Sequence, residues 1–249
     1  MGKDISRFVS STCLSVLLFL LLAADCFPAN FSVSPIRVFF DGTRKTNILT
    51  VKNTSDRPVS LEIKTVLWEH DQEYSPTGDI IFFPKMLTMA AGEEKIIRIG
   101  HKTPPGPEER TYRMFISEIP VSRSEEGTTL QVVMNLGVPI FIQPVNSVPE
   151  GKIENVSLSN GRLNIGLQNS GNVHFMIKSI RVSGKDDAES EVFNAETAGW
   201  YLLAGNSKEY TLDVGKEACL KINNIRVSVE TDRFTIEKDA AVTDEMCLP

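Results

Sequence analysis

The sequence predicts an all-β protein made of two small β-sandwiches joined by a short linker. Three observations lead there. From about residue 30 onward, short runs rich in Val, Ile, Phe and Thr recur at roughly 8–12-residue spacing, the rhythm of a sandwich. Gly, Pro, Asn and Asp punctuate those runs. No window keeps a 3.6-residue period over four turns, so helix is expected to be minor.

The first segment, 1–29, is expected to be a secretory signal peptide rather than part of the fold. Lys3 and Arg7 give it a basic start, and Cys13–Ala24 is a continuous apolar run. That run is about 12 residues, roughly half of the ~20 needed to span a bilayer. Cleavage is expected after Cys26 or Ala29; Asp25 directly before Cys26 argues against a lipoprotein site. The remaining ~220 residues suit two domains of about 110 each. They are expected at 30–145 and 150–249, with Gln143–Gly151 (QPVNSVPEG) as the linker.

Within the first domain, Phe31–Phe40 reads as one strand ending at the Asp41-Gly42 turn. Asn47–Lys52, Val59–Glu69, Asp79–Phe83, Lys95–Gly100 and Tyr112–Ile119 follow as further strands. Thr129–Ile142 (TLQVVMNLGVPIFI) stands apart, because Leu130, Val132, Met134, Leu136 and Val138 share one face at period two. Pro139 removes a ladder donor and marks an edge. A long apolar edge is an aggregation hazard. Either this segment is covered as an ordinary core-facing strand, or its exposure is the function. The second domain repeats the pattern, with runs at Lys152–Leu158, Arg162–Gln168, His174–Val182, Ser190–Phe193, Trp200–Leu203, Glu209–Val214, Ile222–Glu230 and Arg233–Lys238.

Composition excludes several function classes. A net charge of −6 and a pI near 5.2 leave no nucleic-acid footprint, and no later segment suits membrane insertion. The three histidines, His70, His101 and His174, fall in different elements without metal-ligand spacing. Neither a nucleophile elbow nor a phosphate-binding loop occurs. The carboxylate pairs Glu93-Glu94, Glu108-Glu109 and Glu125-Glu126 sit in expected loops or strand ends, as solvated charges do. No cofactor, metal or catalytic residue is therefore expected, and the chain does not read as an enzyme. Cys219 and Cys247, the two cysteines beyond the signal, are expected to form one structural disulfide. Arg37 is placed within the apolar run PIRVFF, where a charge needs a cleft or a partner's anion, and Arg113 in Tyr112-Arg113-Met114-Phe115 raises the same question. A guanidinium can grip a carboxylate with two parallel hydrogen bonds.

Taken together, these segments resemble the periplasmic pilus chaperones, the PapD-like family. The resemblance rests on Arg37–Gly42, Val51–Asn53 leading to Trp68, Pro84–Ile99, Tyr112–Pro120 and Leu130–Pro144. It extends more loosely to Asn169–Asn172 and Trp200–Tyr210, and the Tyr-Arg-x-Phe motif is closer to the archaic branch. The resemblance implies two immunoglobulin-like sandwiches in an exported, periplasmic protein that needs no ATP. It implies that Leu130, Val132, Met134 and Leu136 form a donor strand filling the groove of a pilin-type subunit, which is then passed to an outer-membrane usher. It also implies that Arg37 anchors the subunit's C-terminal carboxylate. The family's second anchor is a lysine near the position of Pro139; this chain has none there or at Gly137, and Arg113 is the expected substitute. Self-pairing through the exposed edge is open to the free protein, and the sequence does not decide whether it occurs.

Two other readings compete. A secreted structural or adhesive β-sandwich component would keep Thr129–Ile142 paired within its own fold. An exported carbohydrate-binding or hydrolytic enzyme needs clustered aromatics or facing carboxylates, and the sequence groups neither.

Overall fold

The computed structural model describes residues 30–71, 73–120 and 132–247. The segment 1–29 and Leu130, expected as signal peptide and first donor position, lie outside the described residues. In chain order the first half contains β1 (Phe31–Ser34), β2 (Val38–Phe40), β3 (Thr46–Asn53), β4 (Val59–His70), β5 (Glu73–Pro76), β6 (Ile80–Phe83), β7 (Met86–Met89), β8 (Glu94–His101), β9 (Arg110–Glu118) and β10 (Asn135–Ile142). The second half contains β11 (Gly151–Ser159), β12 (Arg162–Asn169), β13 (Phe175–Lys185), β14 (Glu191–Ala198), β15 (Tyr201–Leu202), β16 (Ser207–Asp213), β17 (Asn224–Thr231) and β18 (Thr235–Ala241). Among the described residues helix is confined to two single turns, α1 (Lys216–Cys219) and α2 (Asp244–Cys247), whose terminal cysteines form a disulfide with Cα atoms 5.6 Å apart.

Each half is a pair of sheets closed on its own core. The first pairs a sheet ordered β1-β3-β8-β6 with one ordered β2-β10-β9-β4-β5, with β7 added on β4. Alternation puts Leu49, Val51, Ile97 and Ile99 of one sheet against Leu61, Ile63, Met114 and Ile116 of the other, all buried. The second pairs β11-β12-β16 with β14-β13-β17-β18, with β15 added on β13, around Leu163, Ile165, Ile180, Val227 and Val229. Burying such a side chain contributes about 1.5–3 kcal/mol, which explains why the period-two pattern alone determines which face turns inward.

Two sequence expectations need correction. Phe31–Phe40 is not one strand: β1 pairs with β3 in one sheet, and β2 pairs in parallel with β10 in the other. Pro35 offers no N–H to a ladder, and the chain changes sheets across 35–37, so Arg37 sits at the crossing rather than inside a strand. Of the expected strand Thr129–Ile142, residues 129–131 lie outside the described residues, Val132 to Met134 have no strand geometry, and the described strand runs from Asn135.

Both sandwiches close a turn with the same device, a buried asparagine at the end of a strand. Asn53 donates through Nδ2 to the carbonyls of Arg57 and Ala90, each at 2.8 Å, and its Oδ1 accepts from the Ser55 N–H at 3.0 Å. Asn169 donates to the carbonyls of Val173 and Leu202, each at 2.9 Å, and accepts from the Gly171 N–H at 3.0 Å. Alanine at position 53 strands buried polar groups, each costing about 1–3 kcal/mol. Asn53→Ala is therefore expected to destabilise the first sandwich by about 2–4 kcal/mol in urea unfolding; an unchanged midpoint would contradict this role.

Candidate functional site

The edge of β10 is the first component of the site. This strand pairs antiparallel with β9 along its whole length, from Asn135 opposite Ser117 to Ile142 opposite Arg110. On its other side β2 reaches only Ile140 to Ile142. From Asn135 to Pro139 that side has no strand partner among the described residues, because β1, which precedes β2, has crossed to the opposite sheet. The ladder with β9 extends one step further, the Met134 carbonyl accepting from the Glu118 N–H at 2.9 Å. The face that carries the expected donor positions is graded. Val132 is 75% exposed, Met134 and Leu136 are half-buried against the core, and Val138, Ile140 and Ile142 are buried.

The second component is a cleft made where the two sandwiches meet. Trp68 and Phe141 from the first pack with Tyr201 and Leu203 from the second in a buried cluster. The Trp68 and Tyr201 rings are 5.5 Å apart edge-on, and Phe141 lies 5.8 Å from Tyr201. His174 stacks on Phe141 at 3.7 Å with the planes 13° apart. Glu109 is not the solvated loop charge that its sequence context implies. One carboxylate oxygen, Oε2, accepts the His174 backbone N–H at 2.8 Å and lies 2.5 Å from His174 Nδ1, with both side chains almost fully buried. The aromatic walls exclude water here, which is why a carboxylate is tolerated only in contact with these donors. Around the rim Asn172 donates to the carbonyls of Pro107 and Asn146, each at 2.8 Å, and accepts from the Val148 N–H at 2.7 Å.

Both expected anchor arginines reach this junction. Arg37 lies over the Tyr201 ring at 5.6 Å, with Nη2 4.0 Å from Met176 Sδ. Arg113, projecting from β9, places its guanidinium carbon 3.9 Å from the Trp68 ring centre and donates from Nη1 to the Tyr74 hydroxyl at 2.7 Å. Its Nε is buried without a hydrogen-bond partner. Neither guanidinium forms an ion pair with a carboxylate among the described residues. Burial pushes the Tyr201 hydroxyl pKa up, while the positive charges of both arginines pull it down and Asp232 raises it further. The two cations thus act on one ring from different segments of the first sandwich, the 35–37 crossing and β9. Beside Arg113 opens a cavity of about 530 Å³, walled by Tyr74 and Phe115 on one side and by Trp200 and Lys208 on the other. Lys208 Nζ is 2.8 Å from Asp71 Oδ1. Gly137 keeps the floor clear, since a Cβ there would lie 3.0 Å from Arg113 Cδ.

Sequence reasoning singled out Arg37 and Arg113, which the structure places at this junction, but not Glu109, His174, Trp200, Tyr201 or Lys208. Glu109 and His174 pair across 65 residues, and nothing in either local stretch signals the other. Trp200 and Tyr201 lie in a stretch marked only by resemblance, without a role.

Comparison with known proteins agrees with this geometry. Residues 30–147 match the family described as pili and flagellar-assembly chaperone, PapD N-terminal domain. Chaperone protein LpfB of Salmonella typhimurium strain LT2 is 27% identical over 143 residues, 56% of this chain and 59% of LpfB. The probable fimbrial chaperone LpfB of Escherichia coli O157:H7 is 27% identical over 142 residues, 55% of this chain and 60% of that protein. The matched region thus spans about three fifths of the length of these relatives. Among solved structures, the CsuC–CsuE chaperone–tip adhesion subunit complex from the archaic Csu pili of Acinetobacter baumannii superposes with a TM-score of 0.58 at 18% identity, covering 84% of this chain and 98% of the other. The Salmonella enterica SafA pilin in complex with the SafB chaperone gives 0.54 at 14% identity, covering 84% and 95%. At these identities the likeness is one of fold.

The buried carboxylate leads to a direct expectation. Glu109→Ala leaves the His174 Nδ1 and N–H without their acceptor in an apolar junction, at a cost of about 2–4 kcal/mol. Small-angle scattering of the purified variant is expected to show a broadened distribution of interdomain distances. A profile superimposable on the wild type would remove Glu109 from this role.

Proposed function

From a chain whose residues 30–147 carry the PapD N-terminal domain of the pili and flagellar-assembly chaperone family, we propose a periplasmic chaperone that holds pilin-type subunits by lending them the edge of β10. The observation that carries this reading is the edge from Asn135 to Pro139, without a strand partner among the described residues, running into a cleft that holds two guanidinium groups without carboxylate partners among those residues. An incomplete sandwich that lacks one strand can add this edge to its sheet, main-chain hydrogen bonds giving affinity and alternate side chains giving selectivity.

Leu130, Val132, Met134 and Leu136 are the donor side chains in this reading. Each one buried in a subunit groove contributes about 1.5–3 kcal/mol. Three or four together contribute about 5–10 kcal/mol before the entropy of association is subtracted, so capture requires no nucleotide and no catalytic step. Arg37 and Arg113 hold the subunit's terminal carboxylate, fixing the register at which the donor residues meet the groove. The loaded subunit then passes to an outer-membrane usher, where another subunit supplies the permanent strand. In the absence of a subunit, the same edge is available for self-pairing.

The half-burial of Met134 and Leu136 against the protein's own core favours the second reading, a secreted structural component of a surface assembly, to a limited degree. One experiment separates the two. The protein, tagged at its C-terminus and expressed in its native host, is purified from the periplasm and its companions are identified by mass spectrometry. A small β-protein at near-equal stoichiometry is expected. Arg37→Ala is expected to lower its recovery at least tenfold and Arg113→Ala comparably, and Val132 and Met134 replaced together by Asp to abolish it. Wild-type recovery with Arg37→Ala would end the anchoring idea. Recovery of the tagged protein alone, or as a polymer of itself, would move the structural reading to first place.

A further inference from the structure

The cavity beside Arg113 is bounded by both sandwiches, yet only one of its cations comes from the first. β10 itself presents Asn135 and Gly137 to it, neither of them charged. A longer side chain at Gly137 would also crowd Arg113, whose Cδ lies 3.0 Å from the position of the missing Cβ. The opposite wall supplies what β10 does not: Lys208, the second residue of β16, lines the same cavity. Its ammonium is held by Asp71 at 2.8 Å, but the Asp71 side chain is 60% exposed while that of Lys208 is 29% exposed. An ion pair with one arm in water contributes little, so Lys208 can exchange Asp71 for another carboxylate at small cost. Arg113 is prepared in a complementary way, its guanidinium seated 3.9 Å over the Trp68 ring and its buried Nε lacking an acceptor among the described residues.

We propose that Lys208 is a further cation of the carboxylate site, contributed by the second sandwich beside Arg37 and Arg113 of the first, and that Asp71 occupies its ammonium until a peptide's terminal carboxylate replaces it. This rests on the reading of the cleft as a carboxylate anchor and adds a cation from the second sandwich to it. One oxygen of the incoming carboxylate accepts from the Arg113 guanidinium and the other from Lys208 Nζ. The terminal side chain lies against Trp200, Tyr74 and Phe115, which wall the cavity, so an apolar or aromatic C-terminal residue fits it best. Because the two cations come from different sandwiches, an occupied site also clamps the junction.

The chain reports on this site with its own chromophores. It has two tryptophans: Trp200 lines the cavity, and Trp68 donates its indole N–H to the Asp71 carbonyl at 2.8 Å. The probe is an acetylated tetrapeptide ending in phenylalanine, used as the free acid and as the C-terminal amide. Each form is titrated into the ¹⁵N-labelled exported protein while the indole resonances are followed. The free acid is expected to shift both indoles and the amide to bind at least tenfold more weakly. Lys208→Gln is expected to weaken the free acid about tenfold and leave the amide unchanged, and Lys208→Arg to restore most of the loss. Asp71→Asn is expected to strengthen free-acid binding severalfold; a pair serving only to clasp the two sandwiches predicts that Asp71→Asn and Lys208→Gln act in the same direction. Free-acid binding unaffected by Lys208→Gln but abolished by Arg113→Ala would overturn the role of Lys208 and leave the anchor reading standing. Failure of the free acid to bind the wild type, or binding indifferent to Arg113→Ala, would overturn the anchor reading itself.

Discussion

The Glu109–His174 contact sits where the two sandwiches meet, and the cleft takes its shape from it. A carboxylate with 0% of its side chain exposed and an imidazole with 1% exposed share one oxygen, with Phe141 stacked on the ring at 3.7 Å. Such a pair is costly to bury and more costly to break, so it contributes geometric definition more than net stability. It sets the second sandwich against the far end of β10, and Trp68, Tyr201 and Leu203 complete the packing. This contact explains why β10 changes character along its length. Its last residues, Val138 to Ile142, are buried on both faces, while its first residues keep one face and one edge in the open.

The open edge and the cleft are therefore two consequences of one arrangement. The sheet change across 35–37 removes the strand that would cover Asn135 to Pro139, and it also places Arg37 at the crossing, over Tyr201. An exposed edge is a liability in a soluble protein. Here it is short, carries a proline, and ends in a cleft that holds two arginines.

The sequence made the sheets legible because burial of one face imposes a period of two, and most apolar runs became strands within two residues, while those beginning at His174, Ser190 and Arg233 continue three to five residues further. It also marked Arg37 and Arg113, since a cation inside an apolar run or beside aromatic strand residues has few structural uses. Other features left no local trace. In FSVSPIRVFF the inward positions change phase across Pro35, from Phe31 and Val33 to Val38 and Phe40, but Ile36 and Phe39 fill the gaps and the run reads as one strand. Glu109 looked like any loop carboxylate, because the imidazole that accounts for its burial lies 65 residues away. Asn53 and Asn169 appear polar and expendable, yet each satisfies several buried main-chain groups. Lys208 follows an ordinary Gly-Asn-Ser turn, and only the packing of one sandwich on the other puts it across the cavity from Arg113.

Amide hydrogen exchange across Val132 to Pro139, with and without the co-purified subunit, tests the central claim most directly. Amides in this segment that face no partner strand are expected to exchange within seconds in the free protein and to become protected by at least a hundredfold in the complex, while β9 and β4 change little. Strong protection already present in the free protein and unaltered in the complex would show that the edge is closed within its own fold, and lending it to a subunit would no longer account for the structure.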